Sequence, residues 1–179
     1  MTPPSTSRSQ LLLIDTCVII EAHCLDVWEA IIHQCSVLLP ETVVGEAIRE
    51  AREFDDIDLR LEKEIEEGLV RSPSLPASSL KVVRERCRPF PGEIHSGELE
   101  CLAFLLGDED KTSLICSSDA VVFRYLGWIQ WGDRGISLEE ILRGFGHGYP
   151  LRDKLTKSFR ERWTRKGFEE AFQRGFIKP

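Results

Sequence analysis

The sequence predicts an α/β fold: a parallel sheet sandwiched between helices on both faces, with a basic helical extension at the C-terminal end. Three observations carry this. Leu11-Leu12-Leu13-Ile14 is an unbroken apolar run, too short for a helix and without alternation, which suits a strand buried on both sides in a parallel sheet. Short apolar runs then alternate with stretches of helical periodicity, the order that βαβ units produce. Finally, charge divides unevenly. The 179 residues carry −7 overall, yet residues 150–179 hold nine Lys/Arg against four Asp/Glu, which leaves −12 on residues 1–149.

Taken in order, residues 1–10 are rich in Pro, Ser and Thr and read as a flexible tail. The domain proper spans 11–149. Its first strand stops at Asp15-Thr16, after which Val27, Trp28, Ile31 and Ile32 fall at helical spacing, so one or two helices are expected over Cys17–Cys35. Ser36–Leu39, closed by Pro40, reads as a second strand. The pattern Val43, Val44, Ala47, Ile48, Ala51 gives a helix over Glu41–Glu53, and a charged helix follows over Asp56–Glu67 with Gly68 as its stop. Leu69–Leu75 adds a short strand, and Ala77–Arg88 a helix that Pro89, Pro91 and Gly92 end. Ser96 is placed to cap Gly97–Leu106, apolar nearly all round apart from Glu98 and Glu100 and therefore expected deep in the core. Further expected elements are a strand Ser113–Cys116, a helix Ala120–Leu126 closed by Gly127, a strand Trp128–Trp131, and a helix to about Arg143 opened by the capping box Ser137/Glu140. In the extension, 150–179, Leu151, Leu155, Phe159 and Trp163 lie four apart, the stripe of an amphipathic helix with Lys and Arg on its other faces.

Composition narrows the function classes. With 42% hydrophobic and 30% charged residues the chain is a globular protein, and its negative charge argues against one that simply coats nucleic acid. Six cysteines form no C-x-x-C pair, so zinc-ribbon and thioredoxin-type sites lack support; reduced, buried thiols are expected. Asp15 interrupts the only stretch that resembles a signal-peptide core, and no run approaches the length of a membrane span, so a cytoplasmic location without membrane partners is expected. No glycine-rich loop follows the first strand, which removes a nucleotide-binding turn. A phosphatase of the haloacid-dehalogenase type needs a second Asp two positions after Asp15, where this chain has Cys17.

The chemistry lies in the carboxylates. Asp15 and Asp119 each follow the carboxyl end of an expected strand, where open α/β sheets line their ligand crevice. Each also suits a plain helix cap. Glu98 stands on the helical row of Cys101, Leu102 and Leu105, a costly position for an unpaired charge. Glu46 lies about one helical turn after the second strand; a solvated face beside Arg49 and Glu50 would explain it equally.

Four phrases in this order carry a resemblance: Ile14-Asp15-Thr16 ending a strand, Pro40 to Glu46 in the pattern Pro-x-x-Val-x-x-Glu, Gly97-Glu98 opening an apolar helix, and Ser117-Ser118-Asp119 after a late strand. They resemble the PIN-domain family over roughly residues 10–145. The resemblance implies a metal-dependent nuclease, usually a ribonuclease, similar to the toxins of toxin-antitoxin pairs and to RNA-processing enzymes. It implies Asp15, Glu46, Glu98 and Asp119 as the acidic quartet, with Thr16 and Ser117 or Ser118 as polar neighbours on the substrate side. Its partners would be RNA, an antitoxin or other protein, and a second copy of the chain.

Independently of the family, oxygen donors without His or Cys favour Mg²⁺ or Mn²⁺. Such an ion activates water and neutralises charge on a phosphodiester under in-line attack. Asp15, Glu98 and Asp119 are assigned to the metal, and Glu46 to a water-mediated ligand or general base. The basic extension supplies the positive surface an acidic body lacks, so Lys157, Arg160 and Arg165, off the apolar stripe, are expected to contact RNA. The rival reading is a non-catalytic scaffold of the same fold that binds RNA or a protein.

Overall fold

The structure, a computed structural model, describes residues 10–53, 57–108 and 112–177. The expected N-terminal tail lies, apart from Gln10, outside the described residues, as does the expected helix start at Asp56. Five strands form one sheet: β1 (Leu11–Ile14), β2 (Ser36–Leu38), β3 (Val70–Arg71), β4 (Leu114–Cys116) and β5 (Gly135–Ile136), in the order β3-β2-β1-β4-β5. Every pairing is parallel, with Leu12 opposite Val37 on one side and Leu114 on the other. Leu13 and Ile14, which point to opposite sides of the sheet, are both 0% exposed, so the central strand is dry on both sides. The chain runs outward from β1 through β2 to β3, then returns to place β4 on the other flank of β1. The carboxyl ends of β1 and β4 therefore bound the point at which the winding order reverses.

Nine α-helices lie among the described residues: α1 (Thr16–Cys24), α2 (Trp28–Gln34), α3 (Glu41–Glu53), α4 (Leu61–Glu66), α5 (Ala77–Cys87), α6 (Ser96–Gly107), α7 (Ala120–Trp128), α8 (Leu138–Gly144) and α9 (Lys157–Gln173). Val43, Ala47 and Ala51 form the buried stripe of α3. α6 is as buried as its composition requires, with Leu99, Cys101, Leu102 and Leu105 all inside. It is tied to α3 by Glu100, whose Oε1 accepts from Thr42 Oγ1 at 2.7 Å. Gly68 takes a φ of 73° just after α4, the left-handed stop expected there. The capping box at α8 is formed, Ser137 Oγ accepting from Glu140 N at 3.2 Å and Glu140 Oε2 from Ser137 N at 3.0 Å.

Several expectations are corrected: the charged helix begins at Leu61, with residues 57–60 non-helical, and the strand expected over Leu69–Leu75 is only Val70–Arg71. Trp128–Trp131 is not a strand: Trp128 ends α7, and the fifth strand is the two-residue pairing at Gly135–Ile136. The residue capping α6 is His95, with Ser96 already helical. The apolar stripe of the extension does not lie on one helix, because Leu151 precedes and Leu155 closes a 3-10 turn (Asp153–Leu155) before α9 begins, although Leu155 and Phe159 are buried in the core. Of the six thiols, all free, Cys17 and Cys24 are exposed.

Gly127 is the most informative of these differences. It does not stop α7 but lies within it, where a Cβ would stand 1.9 Å from the backbone oxygen of Thr164 on α9. Gly167 on α9 is its counterpart, since a Cβ there would stand 1.8 Å from the oxygen of Arg124 on α7. The two helices thus meet backbone to backbone. Around the crossing, Arg124 Nε donates to Glu170 Oε2 at 2.6 Å, the Phe123 and Phe159 rings meet edge to face at 6.3 Å, and Trp128 lies 4.9 Å from Phe176. The extension is therefore fastened to the sheet-bearing body.

Substitution at the crossing separates close approach from helix propensity. Gly167→Ala should lower the melting temperature by roughly 2–10 °C, the effect of ~1–3 kcal/mol of overpacking in a chain of this size. Gly45→Ala on α3, where a Cβ meets nothing within 4 Å, should leave it equal or higher, since alanine is the better helix former. Circular dichroism melts of the two variants make the comparison; a stabilising Gly167→Ala would mean the helices do not touch there.

Candidate acidic site at the carboxyl ends of the central strands

Asp15 is fixed first, because three structural requirements meet at it. Its N–H extends the β1–β4 ladder to Cys116 O at 3.1 Å, and its extended backbone caps α1, with Oδ1 accepting from Val18 N at 2.9 Å. Oδ2 faces β4, where it accepts from Ser117 Oγ at 2.5 Å and Ser118 N at 2.8 Å. Ser117 Oγ in turn accepts from Asp119 N at 2.9 Å, so one buried hydroxyl links the two aspartates. Asp119 caps α7 as Asp15 caps α1, taking Val121 N on Oδ1 at 2.8 Å.

Two glutamates close on this pair from the helices. Glu98, in the first turn of α6, accepts from His95 N at 2.7 Å, and its carboxyl is near enough to Asp119 for the two charges to oppose each other. Glu46 on α3 lies against Thr16, whose Oγ1 donates to Glu46 Oε2 at 3.2 Å. Gly97 permits this approach, because a Cβ there would stand 3.0 Å from the same oxygen. Cys101, fully buried on α6, lies among them: Asp15, Glu98 and Glu46 each help to push its thiol well above the ordinary range, after burial itself.

The electrostatics follow from crowding. Burial raises the Asp15 carboxyl above its ordinary value; its hydrogen bonds to Ser117, Ser118 and Val18 oppose the rise, and the charge of Asp119 adds to it. Glu98 is pushed up to about 7, by burial first, with the His95 amide opposing and Asp119 raising it further. Among the described residues, no three His, Cys, Asp or Glu side chains are gathered tightly enough to hold an ion as they stand. Each carboxylate has an oxygen engaged by a protein donor, which fixes its direction.

The structure thus brings Asp15, Ser117, Ser118, Asp119 and Glu98 together at the carboxyl ends of β1 and β4, sets Thr16 against Glu46 beside Gly97 of α6, and gives the three basic residues other neighbours. Arg160 donates from Nε and Nη2 to the two oxygens of Glu140 at 2.8 and 2.9 Å, and its side chain is only 13% exposed. Lys157 gives its backbone N–H to Glu139 at 2.7 Å and its ammonium to Glu161 at 3.6 Å. Arg165 is exposed, beside a hollow of about 650 Å³ at the α7–α9 crossing. Charge counting along the chain finds basic residues but not their carboxylate partners, which are distant in sequence.

No protein-family model matches the chain, and no curated protein matches it. No helix among the described residues is long and apolar enough to cross a membrane.

Protonation should register this crowding. With its carboxyl raised to about 7, Glu98 binds a proton in the folded state that the unfolded chain has already released above about 4.5. The native state therefore holds more protons across that window, and stability contributed here falls as pH rises from about 4.5 to 7. In EDTA, Glu98→Gln should remove this fall and raise the melting temperature at pH 8 relative to wild type. Parallel pH profiles for the two proteins would show that Glu98 does not titrate in this range.

Proposed function

We propose that this protein is a Mg²⁺- or Mn²⁺-dependent endoribonuclease that hydrolyses RNA phosphodiester bonds at the acidic crevice, on a PIN-like parallel sheet between two helical layers. The observation that carries the reading is the convergence of like charges on the reversal point of the sheet. The carboxyls of Asp15 and Glu98 both stand near the charge of Asp119 although burial and that charge raise them, and Glu46 of α3 is held beside Thr16 and Gly97. The donor set fits a hard divalent cation: it consists of oxygens, and its excess negative charge is what such an ion neutralises. Asp15, Glu98 and Asp119 would hold the ion, with Glu46 beside them. When bound, it supplies a water acidic enough to attack at neutral pH and a positive charge for the phosphoryl oxygens.

The chain's own residues do the rest. Ser117 and Ser118 hold Asp15 in one orientation. Thr16 engages Oε2 of Glu46 and leaves Oε1 to take a proton from water, the general-base role. The same proposal includes a cytoplasmic protein with RNA as its partner, an antitoxin-like protein as its regulator, and a homodimer as its assembly. A second reading, a non-catalytic scaffold, is favoured by one observation: Asp15 and Asp119 both serve as ordinary helix caps.

Asp119→Asn keeps the cap oxygen but removes charge, so it separates the two readings. Hydrolysis of mixed RNA in Mn²⁺ should fall at least a hundredfold with a melting temperature close to wild type, and the rise in melting temperature on adding Mn²⁺ should shrink. Metal-independent melting together with no hydrolysis by wild type would leave the scaffold reading.

A further inference from the structure

We propose that the hollow at the α7–α9 crossing binds a guanine nucleotide, with the base on the Phe168 ring, its donor edge on Asp133 and its phosphate on Arg165. The strand that supplies the guanine is the RNA of the nuclease reading, on which this proposal rests.

The hollow is a product of the crossing. Gly127 of α7 and Thr164 of α9 meet there, and Gly132 leaves more room, since a Cβ on it would stand 2.4 Å from Cγ2 of Thr164. Between the two glycines the chain turns at Gln130, a non-glycine at a φ of 62°, and enters the 3-10 turn Gly132–Arg134. That turn contributes Asp133 to the lining, while α9 contributes Thr164, Arg165 and Phe168. The space among them, about 650 Å³, is of the size that small-molecule sites occupy.

The polar groups around this space are left open. Among the described residues Asp133 and Arg165 have no ion pair, and the Gln130 amide has no hydrogen bond. Glu161 and Arg160 also line the hollow, but Lys157 holds the first and Glu140 the second. Lys166 and Arg174 are likewise outside the ion pairs, yet neither lines the hollow. The Thr164 hydroxyl is buried without a hydrogen-bond partner, a costly state that a polar ligand would relieve. A helical threonine has a second rotamer open to it, through which the hydroxyl can turn toward such a ligand. Beside these groups Phe168 leaves 47% of its surface exposed.

The combination selects a chemistry. The ligand must offer a flat face to Phe168, an anion to Arg165 and hydrogen-bond donors to Asp133, whose carboxylate only accepts. A nucleotide offers all three. Guanine alone of the four bases sets two donors side by side, N1–H and the N2 amino group, to meet both oxygens of a carboxylate; adenine and cytosine put an acceptor beside their amino group. From its cap at Asp119 to Gly127, α7 covers about 12 Å. A strand with one guanine in the hollow therefore reaches the acidic crevice within a few nucleotides.

Isothermal titration calorimetry of the full chain in EDTA tests the site without metal. GMP should bind about tenfold more tightly than AMP or CMP. Asp133→Asn should erase that preference, and Thr164→Val should weaken GMP binding. Arg165→Ala should cost about tenfold for GMP and nothing for guanosine, which lacks the phosphate. Lys81→Ala on α5 should match wild type. Equal affinity of wild type for GMP and AMP, or GMP binding unchanged by all three site variants, would overturn the proposal. Phosphorothioate U-rich oligonucleotides with and without one guanine then identify the source. Tighter binding of the guanine strand, lost in Asp133→Asn, would assign the site to RNA; GMP binding without discrimination between the strands would uphold the pocket and overturn RNA as its source. Selective GMP binding by a protein that never cleaves RNA in Mn²⁺ would support the pocket while the nuclease reading fails. Cleavage by a chain that binds no GMP would overturn the pocket and leave the nuclease reading standing.

Discussion

Repulsion among carboxylates at one point of the sheet is the constraint that the surrounding structure answers. β1 and β4 are adjacent and parallel, so the residues that follow them emerge side by side, and here both are aspartates. Left to themselves they would turn apart into water. Instead each is fixed by a helix amide, and a buried serine hydroxyl bridges from the amide of one to the carboxylate of the other. The hydrogen bonds oppose what burial does to Asp15, whose carboxyl nevertheless stays above its ordinary value. Glu98, supported by the His95 amide and opposed by the charge of Asp119, is pushed up to about 7, by burial first.

Legibility in the sequence tracked how local the deciding physics is. Leu11–Ile14 could be read as the central strand because an unbroken apolar run fits few other environments, and the Ser137/Glu140 box because both of its partners lie within one turn. Gly127 misled for the opposite reason. Glycine at the end of a helical pattern signals a stop, but the same residue also permits close helix contact, and the choice between these was made by Thr164, far along the chain. Placing a stop there turned Trp128–Trp131 into an apparent strand, while the real edge strand is two residues long and begins with glycine. The positions of Asp15 and Asp119 at strand ends and of Glu98 at a helix start were visible in the sequence. What was hidden was the pairing between elements: Thr16 with Glu46, Ser117 with both aspartates.

The basic extension shows the limit of summing charges. Its excess of Lys and Arg over Asp and Glu is real, yet Arg160 is occupied by both oxygens of Glu140 in a half-buried pair and belongs to the joint between α8 and α9. A cation so placed is held by geometry and is costly to remove, which makes it a poor candidate for reversible attraction of RNA. The useful positive charges are those outside the ion pairs, and the exposed Arg165 is among them. Net charge governs long-range attraction, but only an unpaired group can act at contact.

The crossing of α7 and α9 has a consequence for how this chain can diverge. Each glycine lies against a carbonyl of the other helix, so the contact depends on hydrogen atoms where any other residue carries carbon. Neither position can compensate for the other, because both are already at the smallest size. Relief of a larger residue requires lifting all of α9, which would separate Arg124 from Glu170 and Arg160 from Glu140 together. Positions 127 and 167 should therefore drift as a unit. Descendants of this chain should keep both glycines, or lose both along with the two ion pairs and a new seat for the helix.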